Sequence, residues 1–159
     1  MNRILLKKIQ ILNKENATSA PILVGIGVLV SSFILDLATL APTLTWGFNR
    51  IGVDGGEFLA AAHSMGIPHP PGYPTYTLLL KLFSYVVPVG DLAFRGNLMS
   101  AVTGSLAVAL IYWSAFRLCR YLKPDYSMFL PTTSAFLGSI VFATTPLFWS
   151  QAVMTEVYT

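Results

Sequence analysis

Cysteine and charge are what this chain has least of. Cys119 is its single cysteine, which excludes an intrachain disulfide and a cysteine-based metal centre. The thiol is expected to pack as a small apolar group. Charged residues make up 11% of the chain, less than half the ~25% usual in soluble domains. That shortage points away from the soluble class. Nucleic acid is not expected as a partner, because no concentrated basic stripe interleaved with aromatics is present to meet phosphates. Two histidines occur, His63 and His69. Five residues lie between them, so they lack the i, i+4 helical spacing with which a zincin helix offers two ring nitrogens to zinc, and no protein-held metal site is assigned.

What the chain does have is apolar length. Hydrophobic residues make up 54% of 159, and the mean hydropathy is +0.64. About 20 consecutive apolar residues cross a bilayer, and three stretches qualify: about 21–41, 92–118 and 128–149. The expected fold is therefore all-α, a polytopic transmembrane helical bundle of about three spans. The second span carries Ser100, Ala101, Gly104, Ser105, Ala107 and Ala109, small residues that let helices approach closely in lipid. Residues 1–20 form a basic segment with Arg3, Lys7, Lys8 and Lys14 among apolar neighbours, a pattern suited to a membrane surface. Those four cations, and Arg117, Arg120 and Lys123 after the second span, place both regions on the cytoplasmic side. The loop 42–91 is then outside, as is Glu156. Asp36 is the one charge inside the first span. A carboxylate at mid-membrane costs about 2.5–3.5 kcal/mol, so it should face a wet cavity or the interface.

The outer loop holds the polar chemistry. Trp46 suits the interfacial belt. A short helix should begin at Asp54 and stop at Gly66, ahead of Pro68, and a second should run from Pro74 to about Val87. Each is too short to span, so both read as interfacial or re-entrant. Asp54 and Glu57 can form an N-cap and N3 pair resembling a capping box, or they can be reactive acids. His69 and Tyr73 sit in the punctuated run HPPGYPTY (69–76).

Three chemistries compete for these groups. Metal-assisted hydrolysis would use His63, His69 and a carboxylate. Transport would use Asp36 and broken helices, and a non-catalytic membrane scaffold stands beside it. Sugar transfer from a lipid carrier needs a carboxylate to deprotonate or orient an acceptor hydroxyl and a cation to hold the departing phosphate. Asp54 or Glu57 supplies the first, and Arg95, at the outer mouth of the second span, the other; the plainer account of Arg95 is a snorkelling interfacial side chain.

The runs TLAPTLTW (39–46), DGGE (54–57), HPPGYPTY (69–76), PVGDLAFRGNLMSA (88–101) and FWSQAVMTEVYT (148–159) occur in this order. Together they resemble the start of the bacterial membrane proteins related to eukaryotic transmembrane protein 260, an O-mannosyltransferase of the C-type glycosyltransferase superfamily. The resemblance covers about residues 25–159 and the amino-terminal portion of a much longer module. The chain is accordingly read as a fragment truncated at 159, inactive by itself, with residues 21–159 the start of a C-type glycosyltransferase-like domain. It implies a membrane enzyme of a bacterial-type plasma membrane, with a polyprenyl-phosphate sugar as donor and a protein or glycan hydroxyl as acceptor. By that resemblance Asp54 is the base or acceptor-orienting acid and Glu57 its partner. His69 and Tyr73 shape the pocket, and Glu156 is a further substrate-binding acid. A divalent metal is left open.

Overall fold

The computed structural model describes residues 3–45 and 54–157, and the side chains of residues 19–45 and 54–157. Trp46 and the surface-facing pattern of residues 1–18 lie outside those side chains. Among the described residues six helices follow one another: α1 (Arg3–Ala38), α2 (Gly55–Ser64), α3 (Pro74–Val86), α4 (Leu92–Leu122), α5 (Phe129–Ala143) and α6 (Pro146–Ala152). No strand occurs among the described residues.

Among the described residues two helical stretches are long and apolar enough to cross a bilayer, Ser19–Ala38 within α1 and Leu92–Leu122 of α4. Leu23, Ile26, Val30, Ile34 and Leu37 on α1 and Leu106 and Leu110 on α4 point outward and are exposed. A water-soluble protein seldom leaves so continuous an apolar surface uncovered, which favours a lipid environment. Packing between α1, α4 and α5 buries Val28, Val108, Tyr112, Phe116, Ala135 and Ala143. Tyr112 is fully enclosed, and its hydroxyl donates to the Pro21 carbonyl at 2.8 Å. Buried phenols normally find such a partner.

The helix bounds depart from expectation in ways that the chain's own punctuation explains. The stretch expected as a third span is two helices. Thr145 is extended, with ψ 134°, as a residue before proline favours, and Pro146 has no N–H with which to continue α5. With 15 residues, α5 is about 22 Å long, short of the ~30 Å hydrocarbon core. The first helix ends at Ala38 rather than about residue 41, because the Ala41 N–H leaves the helix to donate to the Val153 carbonyl at 2.9 Å. The second span runs on to Leu122, one residue before Lys123 and two before Pro124.

Asp36 packs against α4. It is 2% exposed and accepts from the Ser105 hydroxyl of α4 at 3.1 Å. Its carboxylate joins two helices that the apolar contacts already pack together.

Candidate functional site

One end of the helix assembly gathers the polar residues, and α2 begins it. Asp54 precedes the helix with φ −82° and ψ −12°, and its side chain caps nothing. The capping box that the Asp54/Glu57 spacing allowed is therefore absent. Glu57 turns instead to the His69 loop. One carboxylate oxygen accepts from the His69 backbone N–H at 2.6 Å, and the other lies 2.8 Å from His69 Nδ1. The far side of the same ring, Nε2, lies 3.7 Å from Asp54 Oδ2. His69 thus stands between the two acids.

The loop shape follows from its residues. The Gly72 N–H closes a turn onto the His69 carbonyl at 2.9 Å. Gly72 has φ +87°, a conformation that costs glycine little. Tyr73 follows in the left-handed region, φ 40° and ψ 51°, and Pro74 opens α3, a position where its missing N–H is harmless. Phe58, fully buried on α2, is the floor beneath the loop. Its ring meets His69 at 5.7 Å, Tyr73 edge-on at 5.3 Å and Tyr76 at 5.1 Å.

Glu156 arrives from the other end of the sequence. The segment after α6 runs between α2 and α4 because both helices present glycine to it. A methyl group at Gly55 would come within 2.8 Å of the Thr155 carbonyl oxygen, and one at Gly96 would meet the Thr155 hydroxyl and Leu59. Asn97, 1% exposed, ties the segment down. Its side-chain oxygen accepts from the Thr155 N–H and hydroxyl, both at 2.7 Å, and its amide donates to the carbonyls of Ala41 at 2.8 Å and Thr43 at 3.2 Å. Ser100, one turn on, accepts from the Glu156 N–H at 3.3 Å. Glu156 itself is 1% exposed, and one of its oxygens accepts from the Val157 N–H at 2.8 Å.

Of the residues singled out from sequence, Asp54, Glu57, His69, Tyr73 and Glu156 share this end. Arg95 serves elsewhere: its guanidinium donates to the carbonyls of Ser84 at 3.0 Å, Gly90 at 3.0 Å and Val89 at 3.3 Å, holding the turn between α3 and α4. Sequence reasoning passed over Asn97 and Phe58 and took Ser100 only as a small packing residue. The available signal for Asn97 was a lone amide opening an otherwise apolar helix.

The electrostatics are those of a crowded acid corner. The hydrogen bonds from His69 hold the Glu57 carboxyl below its ordinary range, and the same partner raises the His69 imidazole. Burial pushes the Glu156 carboxyl up, and the nearby Asp54 charge adds to it. Burial also raises the Tyr76 phenol, whose hydroxyl lies beside Ser100 without a well-aligned hydrogen bond. Oxygens of Asp54 and Glu57 and a nitrogen of His69 lie within 4.8 Å of one another, a donor set that can hold a divalent cation.

Residues 54–159 match the family described as the protein O-mannosyl-transferase TMEM260 N-terminal domain. The mouse protein O-mannosyl-transferase TMEM260 is 34% identical over 116 residues, covering 73% of this chain and 15% of that protein. Its Dictyostelium discoideum counterpart is 29% identical over 131 residues, covering 81% of this chain and 14% of its own length. The chain therefore corresponds to about a seventh of the curated relatives it matches. No solved structure matches it. The match spans α2 to Glu156, every element that builds the acid corner, and the chain belongs to the TMEM260 N-terminal domain family.

Proposed function

We propose that this chain supplies the acid-bearing part of a C-type membrane glycosyltransferase that moves a sugar from a polyprenyl-phosphate donor to an acceptor hydroxyl at the extracytoplasmic face. Mannose, the sugar in the relatives' names, is the first to test. The amino terminus is then cytoplasmic, and α2, α3 and the 153–157 segment lie at the outer surface of the plasma membrane. An apolar groove between α3 and α4, lined by Leu79, Leu82, Phe83, Val86, Met99 and Val102, supports a lipid-linked donor, since it offers a polyprenyl chain an apolar wall.

The observation that carries the reading is the unequal employment of the two acids. Both oxygens of Glu57 are taken by His69, whereas Asp54 is only approached by the far ring nitrogen, at 3.7 Å. Asp54 is the base. It accepts the proton of the acceptor hydroxyl as that oxygen attacks the anomeric carbon. The bond from that carbon to the phosphate oxygen breaks, and its electron pair leaves with the polyprenyl phosphate. Glu57 acts through His69, holding the ring beside Asp54, and Tyr73 walls the pocket. Glu156, 1% exposed, backs the pocket as a supporting acid.

The test uses the full-length parent protein in membranes. Asp54→Asn should lower transfer by at least about 100-fold, the lower end for a positioned base, while the protein still accumulates. Glu57→Gln, which keeps a carbonyl acceptor for the His69 N–H, should retain more activity. Equal transfer by Asp54→Asn and wild type would refute the assignment. Absence of transfer by the wild type with any sugar donor would move transport or scaffolding ahead.

A further inference from the structure

A second polar site lies apart from the acid corner, where the end of α2 meets α3 and α4. The cavity is about 160 Å³ and is lined by Ala62, His63, Lys81, Ser84, Tyr85 and Arg95 among others. It holds two cations, and among the described residues no carboxylate lines it. Among the described residues neither Lys81 nor Arg95 forms an ion pair.

Both cations are fixed by neutral acceptors. Lys81 Nζ donates to the His63 carbonyl at 3.0 Å and lies 5.8 Å from the Tyr85 ring centroid. Arg95 spends one N–H on each of three carbonyls. An ammonium carries three donors and a guanidinium five, so each side chain keeps two for a further acceptor. Backbone carbonyls orient these groups without neutralising them. That is preorganisation for an anion, because the entropy of ordering two long side chains is spent before the ligand arrives.

We infer that this cavity is a phosphate-ester subsite, with Lys81 and Arg95 as its anion-binding pair. The inference rests on the donor chemistry proposed above and adds Lys81 to it. The same chemistry would also take a soluble phosphate ester.

The experiment measures binding to the full-length protein in nanodiscs, with polyprenyl phosphate and inorganic phosphate as separate probes. Lys81→Gln should weaken polyprenyl phosphate at least about tenfold, as expected for loss of a charge-assisted hydrogen bond. Lys81→Arg, which keeps the charge, should recover most of the affinity. Undiminished binding by Lys81→Gln would overturn the subsite, as would failure of the wild type to bind either probe. Binding of inorganic phosphate alone would overturn the lipid source. Asp54→Asn separates the two proposals, since it should bind polyprenyl phosphate like the wild type. Normal binding with no transfer by any form would sink the transferase reading and leave the subsite standing.

Discussion

Replacing Asn97 by alanine removes four hydrogen bonds at once, and the structure says what each was holding. Two go to Thr155 and fix the segment that carries Glu156; two go to Ala41 and Thr43 and fix the exit of α1. In double-mutant cycles interhelical bonds within a membrane average ~0.6 kcal/mol each, which sets a floor near ~2 kcal/mol for the four. At the water-protein value of about 0.5–1.5 kcal/mol per bond the total reaches ~6 kcal/mol. The buried Thr155 N–H left behind keeps the loss from falling below the floor, because an unsatisfied buried donor costs about 1–3 kcal/mol by itself. Unfolding of the full-length protein titrated with SDS in mixed micelles reads this directly. Asn97→Ala should lose at least ~2 kcal/mol and most of its transfer activity, whereas Asp54→Asn should lose activity at unchanged stability. A loss below about 0.5 kcal/mol, the contribution of one weak bond, would refute the reasoning that Asn97 joins three segments.

Gly55→Ala places a methyl group against the Thr155 carbonyl, a backbone atom that cannot swing aside. It should destabilise by about 1–3 kcal/mol, the usual range for overpacking, and the same unfolding titration checks it; a neutral result would mean that the 153–157 segment does not lie against α2. The hold of Glu57 on the His69 loop should depend on pH in both directions. The raised His69 value gives a contribution that is full below its ordinary 6.5 and is lost as pH climbs through the higher folded value. The lowered Glu57 value gives one that is full above its ordinary 4.5 and is lost as pH falls through the lower folded value. Protease resistance of the 65–73 loop should therefore be greatest between those two ordinary values, and a flat profile that Glu57→Gln leaves unchanged would contradict the pairing.

Much of the helical frame was legible because its punctuation is local. Pro74 opening α3, Pro88 and Gly90 after its end, and Pro124 beyond α4 act within a few residues of where they stand, and the helix bounds fall close to where they indicate. Pro146 was equally visible, yet hydropathy summed over 128–149 runs across it. Averages over a window do not register one missing N–H. The acid corner was legible in its members and not in its wiring. Asp54, Glu57 and Glu156 could be placed at one end from the alternation of spans. Whether Glu57 would cap its own helix or bind a ring twelve residues on is a contest between two acceptable partners, and only the packing of the loop over Phe58 decides it. Asn97 depends on groups more than fifty residues away in both directions, and nothing in its own neighbourhood encodes them.

The two glycines that admit Thr155 also impose an order of events. Asp54 leaves the ribosome about a hundred residues ahead of Glu156, so α2, α3 and the start of α4 must take their places with a slot between them still unfilled. Gly55 and Gly96 line that slot with bare backbone. The last arm closes it once α6 has turned the chain back, and until then Glu156 cannot stand beside Asp54. A nascent or cut chain ending before α6 would carry Asp54, His69 and the aromatic floor, and still lack Glu156. The acid corner is thus complete only when the return segment has docked.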